Sequence, residues 1–592
     1  MSRFWAGTMR FEQSGDRGGD CASQPRSGGL QPPPPRDHET AWFDAAPQRR
    51  LQTAAPCFSF AFLLAASLTL AGVASAAEPS RPNIVVILAD DMGFSDAGCY
   101  GGEIQTPNLD RLAAGGLRFS QFYNCALCGP SRSALMTGLH PAQVGMFNWT
   151  GKLNNRCVTM LELLKRAGYR TGAVGRLDMV TAEDWHDPAC VARYVDRFLG
   201  NAGGGGPGHY FKAVRTMKTF MDGQPFTLPE NCYKTDLITD FAVKFIAEAA
   251  TKPQPFFLYV AEYAPHWPLH AKEQDMARYR DLYRKLGWDE ARARRHKRLI
   301  EMGLISKDCP LSPRDARVPA WQDAPNKEWE AERMAAFAAQ VDSLDQSVGR
   351  IVEALRRAGA DKNTLVLFLS DNGASDQAGR RSLDKPGETW RLDGTPTRVG
   401  NTPDIQPGVA DTFVTGGPPW ANVSNTPFRQ HKATNFEGGI ATPLIAWWPG
   451  VIKQSGAVTH ELGHITDITA TCLDAAGVAY PSEFNGRDVL PIEGRSLLPV
   501  LKGGARDGHK TLCWATGGSR AIREGKWKLV AGKGGPWELF DLATDRAESQ
   551  NLAEKSPDIV KDLTAKWQQW AERCGAKPRA ASPKRPVSKA KK

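Results

Sequence analysis

The sequence has few of the features that mark specialised classes of protein. Cysteine is sparse, at 12 of 592 residues, and only Cys125 and Cys128 have the C-x-x-C spacing of a zinc or iron–sulfur site. No internal repeat is present. The length excludes a small disulfide scaffold and predicts two or three folded units. Because 41% of the residues are hydrophobic and 23% are charged, wholesale disorder is excluded too.

A basic surface over the whole folded protein is also missing. Lys and Arg number 74 against 64 Asp and Glu, which gives a net charge of +10. Seven of these charges lie in residues 576–592, a Pro- and Lys-rich tail that we expect to be disordered, and one lies in residues 1–76. The remaining body, residues 77–575, has 60 basic and 58 acidic residues. The sequence therefore predicts no nucleic-acid partner.

One long apolar run is present, and it lies in the leader, residues 1–76. An Arg pair at 49–50 precedes the run at 58–73, and Ala-Ser-Ala at 74–76 follows it. This order predicts a signal peptide at about residues 49–76, whereas a membrane anchor is the alternative, for which the run is short. We expect an exported protein, periplasmic or secreted, without a stable membrane span and with a start of translation downstream of Met1.

Beyond the leader, short apolar runs alternate with helical periodicity. The run Asn83–Ala89 is typical of a strand that is buried on both faces. Further strands are predicted over 117–123, 171–174, 256–261, 364–369 and 443–448, and helices over 107–115, 236–250 and 328–358. The alternation predicts an α/β fold over residues 81–478, with a large mixed, mostly parallel sheet flanked by helices.

From about Tyr480 the pattern changes to short strands. They are predicted over 521–523, 527–530 and 537–540, and a helix follows over 558–573. Residues 479–575 are therefore predicted to form a smaller C-terminal α+β domain. The Gly- and Pro-rich segment 373–419 is predicted to be an unusually long loop.

Acidic residues follow two of the predicted strands. Asp90 and Asp91 come directly after the first strand, and Asp371 and Asn372 follow the strand at 364–369. Ligands of parallel sheets collect at the carboxyl ends of the strands. A shared cation site is one interpretation, and separate helix caps are the alternative.

Cys128 opens the most informative segment, Cys-Gly-Pro-Ser-Arg. A cysteine at the N-terminus of a Pro-initiated helix lies beside free N–H groups and the positive end of the helix dipole, and we expect a lowered thiol pKa there. The segment by itself indicates a nucleophile beside an anion site. A buried or disulfide-bonded cysteine ahead of an ordinary helix is the alternative.

Together these motifs resemble the formylglycine-dependent sulfatases of the alkaline phosphatase superfamily. Cys128 to Arg132, followed by an apolar turn and Thr137-Gly138, resembles the family's modification signal. Other matching segments are Arg81-Pro82-Asn83, Asp90-Asp91, residues 264–268, 370–374, 428–432, 437–440, 525–529 and 538–542. The resemblance covers about residues 81–575 and is greatest to the bacterial arylsulfatases.

The resemblance implies a metal site and a modified residue. Asp90, Asp91, Asp371 and Asn372 would bind one Ca²⁺, with residue 128 completing the shell, and Mg²⁺ is the less favoured ion. Such an oxygen-rich set suits Ca²⁺ or Mg²⁺ and not zinc. Cys128 would be oxidised to Cα-formylglycine by a separate formylglycine-generating enzyme. Its hydrated form would attack sulfur and pass through a covalent sulfo-enzyme.

The resemblance also assigns roles to cationic residues. Arg132 and Lys432 would neutralise the sulfate oxygens, and His266 would bind the substrate and protonate the departing alcohol. One motif departs from the family pattern, because Gly-Arg-Leu-Asp at 175–178 stands where Gly-Lys-Trp-His is usual. Arg176 keeps the positive charge. Our hypothesis is that Asp178 accepts the proton that the family's His would accept, and charge repulsion of the sulfate by Asp178 is the competing interpretation.

The sequence thus predicts an arylsulfatase-like sulfuric ester hydrolase that acts on a sulfated small molecule or a sulfated glycan. A phosphate or phosphonate ester hydrolase on the same scaffold is the first alternative. An inactive protein that binds sulfated glycans is the second, and the altered motif at 175–178 is the reason to consider it.

Overall fold

The computed structural model describes residues 81–147, 151–177, 194–201, 219–229, 232–377 and 396–576. The predicted leader and signal peptide, Asp178 and residues 577–592 of the predicted tail lie outside the described residues. Those predictions therefore stay predictions.

The described chain contains twenty strands, ten of which form one large sheet. The strands are β1 Asn83–Ala89, β2 Leu117–Phe119, β3 Phe122–Tyr123, β4 Arg170–Arg176, β5 Arg197–Asn201, β6 Thr219–Met221, β7 Gln224–Pro225, β8 Phe256–Ala261, β9 Thr364–Ser370, β10 Arg398–Val399, β11 Thr412–Phe413, β12 Leu444–Trp447, β13 Ala457–Thr459, β14 Gly463–His464, β15 Glu483–Phe484, β16 Arg487–Asp488, β17 Thr511–Thr516, β18 Ser519–Glu524, β19 Trp527–Ala531 and β20 Glu538–Asp541. The order in the large sheet is β13-β2-β12-β9-β1-β8-β4-β5-β6-β7.

The middle of this sheet is parallel. Strands β9, β1, β8, β4 and β5 all run in one direction, and antiparallel partners join at both margins. The register pairs Ile84 with Phe257 on one side and with Leu365 on the other. The predicted α/β class with a mixed, mostly parallel sheet is confirmed.

The apolar composition of β1 follows from burial on both faces. Val85 and Ile87 pack in one hydrophobic cluster, and Ile84 and Val86 pack in the other. Because alternate strand residues point to opposite faces, both sets must be apolar when helices cover both sides.

The described chain contains twelve α-helices. They are α1 Pro107–Ala114, α2 Cys128–Thr137, α3 Met160–Arg166, α4 Lys234–Ala249, α5 Glu273–Met276, α6 Arg280–Glu301, α7 Lys327–Arg357, α8 Gly417–Ser424, α9 Glu437–Ile440, α10 Asp467–Ala475, α11 Leu498–Leu501 and α12 Pro557–Cys574. Buried side chains of α1, α4 and α7 belong to one cluster, and those of α2, α3 and α10 belong to the other.

The structure corrects two predicted boundaries. The predicted strand 117–123 is broken at residues 120–121, because the chain leaves the large sheet there and β3 pairs with β14 instead. Within the predicted long loop, β10 and β11 form a short parallel pair and α8 begins at Gly417. Backbone pairing between residues 398–399 and 412–413 therefore gives this segment regular structure, which its Gly and Pro content did not indicate.

The smaller C-terminal region contains the predicted strands and helix. Strands β17 to β20 form a four-stranded antiparallel sheet, and Leu563 and Trp567 of α12 pack against one face of it. The other face contributes Trp514 and Phe540 to the large hydrophobic core. The C-terminal sheet is therefore covered on both sides, and it is tied to the parallel sheet through shared apolar packing.

Eight cysteines of the described ranges have free thiols, namely Cys99, Cys125, Cys128, Cys232, Cys309, Cys472, Cys513 and Cys574. Within the same ranges, every helix is too short or too polar to cross a membrane.

Candidate active site

Four neighbouring parallel strands bring the predicted site residues to one edge of the sheet. Asp90 follows β1, Asp371 follows β9, His266 lies five residues beyond the end of β8, and Arg176 is the last residue of β4. Since these strands are adjacent and parallel, their carboxyl ends meet. Backbone hydrogen bonds join the loops, from Asp90 N–H to Ala264 O at 3.1 Å and from Asp371 N–H to Ala89 O at 3.1 Å.

Asp91 lies at the centre of the site in a left-handed backbone conformation, with φ of 67°. Its N–H donates to Asp371 Oδ1 at 3.3 Å. Its Oδ1 accepts hydrogen bonds from Asn372 Nδ2, at 2.6 Å, and from Lys432 Nζ. Such a conformation costs energy for a residue with a side chain, so tertiary contacts hold Asp91 in place.

Cys128 and Arg132 lie one turn apart on α2, so both reach the same edge of the sheet. Arg132 is fully buried. It donates from Nε and Nη2 to Asp371 Oδ2 at 3.0 and 2.8 Å, and Nη1 donates to Arg176 O at 2.6 Å. The Cys128 thiol lies 3.7 Å from Asp90 Oδ1.

Gly175 lets Arg176 reach the site. Gly175 has φ of +99°, and a Cβ there would lie 1.9 Å from Ala261 O, so only glycine fits. Arg176 then donates from Nη1 to Asp90 Oδ2, and Arg132 Nη2 lies 3.1 Å from the same oxygen.

His266 approaches Asp91 from the loop after β8. Its Nδ1 lies 2.6 Å from Trp267 O, and because a carbonyl only accepts, this nitrogen carries the hydrogen. The other nitrogen, Nε2, lies 3.6 Å from Asp91 Oδ2. Trp267 and His266 also pack ring against ring, with centroids 4.3 Å apart.

Burial and charge pull the pKa values of the site in different directions. Burial by itself would raise the pKa of Asp90, but the surrounding positive groups, Arg176 first, hold it well below its usual value. Burial lowers the pKa of His266 to about 4. For Lys432, burial is outweighed by the carboxylate of Asp91, so its pKa is raised.

The expectation of an acidic thiol at Cys128 is wrong. Burial raises the pKa of this thiol above its usual value, with Lys432 and Arg176 opposing the shift only in part. The cysteine does lie in the first turn of α2, as the sequence predicts, but it is 4% exposed. Desolvation of a thiolate there exceeds the benefit of the helix dipole and the nearby cations.

Two buried oxygens of the site, Asp91 Oδ2 and Asn372 Oδ1, have no hydrogen-bond partner among the described residues. An orphaned buried oxygen is costly unless a ligand satisfies it. Ligand atoms of Asp90, Asp91, Cys128 and His266 all lie within 4.8 Å of one another, so the site could hold a metal ion. The oxygens of Asp90, Asp91, Asp371 and Asn372 are the donor type that hard cations prefer.

The structure therefore brings together every described residue of the predicted site. They are Asp90, Asp91, Cys128, Arg132, Arg176, His266, Asp371, Asn372 and Lys432.

The sequence interpretation missed Asn425. Its Oδ1 accepts from Ala374 N–H at 2.8 Å, and its Nδ2 donates to Ala374 O and Gln430 O, each at 3.2 Å. It thereby joins the loop of Asn372 to the loop of Lys432. An Asn before Thr-Pro carries only a turn signal in the sequence, so no pattern could have revealed this contact.

Two family models match the chain. The sulfatase model matches residues 82–478, and the model of the C-terminal region of N-sulphoglucosamine sulphohydrolase matches residues 430–573. The first match alone spans more than half of the chain.

Curated relatives agree with this match. An arylsulfatase of Klebsiella aerogenes is 34% identical over 477 residues, which cover 74% of this chain and 96% of the relative. An uncharacterised sulfatase of Schizosaccharomyces pombe is 32% identical over 541 residues, covering 83% and 93%. The N-acetylgalactosamine-6-sulfatase of Mus musculus is 28% identical over 522 residues, covering 82% and 79%.

Solved structures show the same architecture. That of Ps i-CgsB has a TM-score of 0.61 and 25% sequence identity, and the match covers 85% of this chain and 94% of that one. The chain therefore belongs to the sulfatase family, and it is a sulfuric ester hydrolase.

Proposed function

We propose that this protein hydrolyses sulfate esters of phenols or sugars at a Ca²⁺ site that includes Cα-formylglycine made from Cys128. One observation carries the proposal: within the described part of the chain, Asp91 Oδ2 and Asn372 Oδ1 are buried without a hydrogen-bond partner, and Asp91 lies in the same group of ligand atoms as Cys128. When present, Ca²⁺ would supply positive charge to the sulfate, and formylglycine would supply the attacking oxygen.

The cationic residues explain how this site would hold a sulfate group. Lys432, whose side chain is 11% exposed, approaches Asp91 from the loop side. Arg132 and Arg176 bind Asp90 from the sheet side. Three fixed positive charges around a desolvated anion stabilise the charge on its oxygens, and they cost no reorganisation during reaction. We propose Arg132 and Lys432 as direct sulfate ligands.

His266 is proposed as the general acid for the leaving alcohol. The Nδ1–H bond to Trp267 O fixes the ring, so Nε2 faces the site. A proton on Nε2 could be donated to an oxygen in the site when the ester bond to sulfur breaks. Sulfate binding would favour the protonated ring because an added negative charge stabilises the cation.

Asp178 is proposed as the base that Arg176 supports, and it can be tested directly. General base catalysis is worth about 10²- to 10⁴-fold in rate, so Asp178→Asn should lower kcat by an amount in that range. Unchanged or faster turnover of Asp178→Asn would refute the base role and support charge repulsion by the native carboxylate.

The class of substrate follows from the relatives. The matched proteins include an arylsulfatase and an N-acetylgalactosamine-6-sulfatase, so aryl sulfates and 6-sulfated amino sugars are the first substrates to test. We also propose export through the signal peptide at about residues 49–76 and modification by a formylglycine-generating enzyme. N-terminal sequencing of the mature protein should give Ala77 as its first residue.

The deciding experiment compares matched aryl sulfate and aryl phosphate esters with the full chain, produced together with a formylglycine-generating enzyme. Mass spectrometry of the peptide that contains residue 128 should show conversion of the thiol to an aldehyde. We expect higher kcat/KM for the sulfate, with loss of activity in Cys128→Ala and retention in Cys125→Ala. Preference for the phosphate would favour the phosphate-ester alternative. An unmodified, inactive protein that still binds sulfated glycans would favour the binding alternative.

A further inference from the structure

A second cluster of metal-ligating side chains lies outside the active site. His140 follows α2, Glu493 lies in the loop before α11, and Cys574 is the last residue of α12. One ligand atom from each of the three lies within 4.8 Å of the others. His140 and Cys574 are buried, at 8% and 4% exposed. We call these three residues the His140 cluster.

The spacing of His140 and Glu493 is close to that of two ligands of one metal ion. His140 Nε2 lies 3.8 Å from Glu493 Oε2, which is too long for a hydrogen bond. Among the described residues, the ring nitrogens of His140 have no hydrogen-bond partner, and Trp570 packs edge-on against the ring at 5.2 Å. Two ligand atoms on one tetrahedral zinc ion lie about 3.3–3.6 Å apart, close to the observed separation.

Other contacts hold the carboxylate of Glu493 in place. Gln143 Nε2 donates to Glu493 Oε1 at 2.8 Å, and Gln143 Oε1 accepts from His140 N–H at 2.8 Å. Arg573, whose side chain is half exposed, also binds the carboxylate. The N–H of Glu493 donates to Gly138 O at 2.9 Å. Because outer contacts of this kind orient metal ligands, the cluster is preorganised.

The donor set of the cluster differs from that of the active site. An imidazole nitrogen, a thiol sulfur and a carboxylate oxygen are the zinc set, whereas the oxygens around Asp91 suit a hard cation. A bound zinc ion would displace the proton of the Cys574 thiol.

We propose that His140, Glu493 and Cys574 form a second metal site that takes Zn²⁺ or another borderline divalent cation, with water as the fourth ligand. The ion would fasten the last turn of α12 to the segment that follows α2. Since α2 begins at Cys128, the site would hold the C-terminal region against the helix that carries the reactive residue. The proposal does not depend on the proposed substrate.

The test measures bound zinc in the purified full chain. Protein saturated with Ca²⁺, which occupies hard-ligand sites, is dialysed against micromolar Zn²⁺ and then against metal-free buffer, and its zinc is determined by elemental analysis. We expect one more equivalent in the wild type than in Cys574→Ser or His140→Gln. Cys472→Ser, a buried cysteine on α10, is the matched control and should keep the wild-type content.

A second measurement identifies the ligands. Co²⁺ in place of Zn²⁺ should give a thiolate-to-metal absorption band in the wild type and in Cys472→Ser, and the band should be absent from Cys574→Ser. Zinc should also raise the Tm of the wild type and leave that of His140→Gln unchanged, because only a site in the folded state couples binding to stability. Equal zinc content in the wild type and in folded Cys574→Ser or His140→Gln would overturn the proposal.

Discussion

This protein contains two buried clusters of acidic and basic residues with similar composition. We expect one to serve activity and the other to serve stability. The active-site cluster contains Asp90, Asp91 and Asp371 with Arg132, Arg176 and Lys432. The second, here called the junction cluster, lies between the large sheet and the C-terminal sheet and contains Glu437, Glu548, Lys528 and Arg546. In both clusters the acidic and basic residues are equal in number.

The two clusters differ in the groups that lie around their buried oxygens. In the junction cluster, Lys528 Nζ lies 2.9 Å from Glu437 Oε1 and 2.8 Å from Glu548 Oε1. Glu437 Oε2 accepts from Tyr123 OH at 2.8 Å, and Glu548 Oε2 accepts from Glu437 N–H at 2.8 Å. Among the described residues, Asp91 Oδ2 and Asn372 Oδ1 of the active site and Glu548 Oε1 of the junction cluster have no hydrogen-bond partner. Of these three oxygens, Glu548 Oε1 lies in contact with the Lys528 ammonium group, whereas Asp91 Oδ2 lies 3.6 Å from His266 Nε2. Neither charge balance nor a missing hydrogen bond therefore distinguishes a structural cluster from a functional one. The difference is that Asp91 belongs to a group of ligand atoms that could hold a metal ion.

The largest effect on stability is expected at the junction cluster. Lys528→Met leaves two buried carboxylates without their shared cation, and breaking a buried pair in this way costs about 3–5 kcal/mol. Urea unfolding of the full chain measures the loss. Lys526→Met is the control, because the Lys526 side chain, which pairs with Asp541, is 53% exposed and its loss should change stability little. Equal losses in the two variants would remove the distinction between the buried and the exposed pair.

The opposite result is expected at the active-site cluster. Lys432→Met removes a cation aimed at the proposed sulfate position, and loss of one such group costs about 10²- to 10³-fold in kcat. Stability should fall less than in Lys528→Met, since the proposed Ca²⁺ would still compensate Asp91 in the variant. Steady-state kinetics with an aryl sulfate tests this, with the exposed Lys453→Met as control. A loss of stability without a loss of kcat would show that Lys432 serves structure alone.

A smaller effect is expected at Asn425, which acts on the active site only through backbone. Asn425→Ala removes the hydrogen bonds that join Ala374 to Gln430. Residues that orient ligands in this manner are worth about 10- to 100-fold in metal affinity or activity. We expect a higher Ca²⁺ concentration for half-maximal activity, and Asn425→Asp should recover the Ala374 N–H contact. Wild-type dependence on Ca²⁺ in Asn425→Ala would contradict a positioning role.

The smallest effect on stability is expected from a fall in pH. Burial holds the pKa of His464 well below its usual value, and the ring lies beside Trp514 of the C-terminal sheet. The unfolded chain binds a proton near pH 6.5 that the folded protein excludes, so stability is lost as pH falls below 6.5, by at most about 1.4 kcal/mol per pH unit. Urea unfolding at pH 7.5 and 5.5 should show a shallower fall in His464→Gln. Identical slopes would mean that His464 does not titrate on unfolding.

Local patterns in the sequence predicted much of the active site. Asp90 and Asp371 could be placed together because each follows a strand of apolar residues, and adjacent parallel strands end at one edge. Arg132 follows Cys128 by one helical turn, so its proximity was also predictable. His266 and Lys432 could be assigned only through family resemblance, because isolated His and Lys residues have no local signature. Asn425 could not be identified from the sequence at all.

Cys128 and Lys528 show where local patterns fail. The position of Cys128 at a helix N-terminus is a local fact, but its pKa depends on how deeply distant segments bury it. Lys528 alternates with apolar residues in a strand and would be expected on an exposed face, yet it is fully buried between Glu437 and Glu548. Both results depend on which segments pack over the residue, and that information is spread over the whole chain.

The sequence by itself determined the α/β class, the strand ends that hold the acidic residues, the position of the reactive cysteine in the first turn of its helix, and the motifs of the family. Each of these depends on neighbouring residues and on the repeat of a strand or a helix. Only the tertiary structure decided which oxygens are left unsatisfied, which charges are paired, and that His140, Glu493 and Cys574 meet. These properties arise from contacts between segments hundreds of residues apart, where burial sets the energy of every polar group.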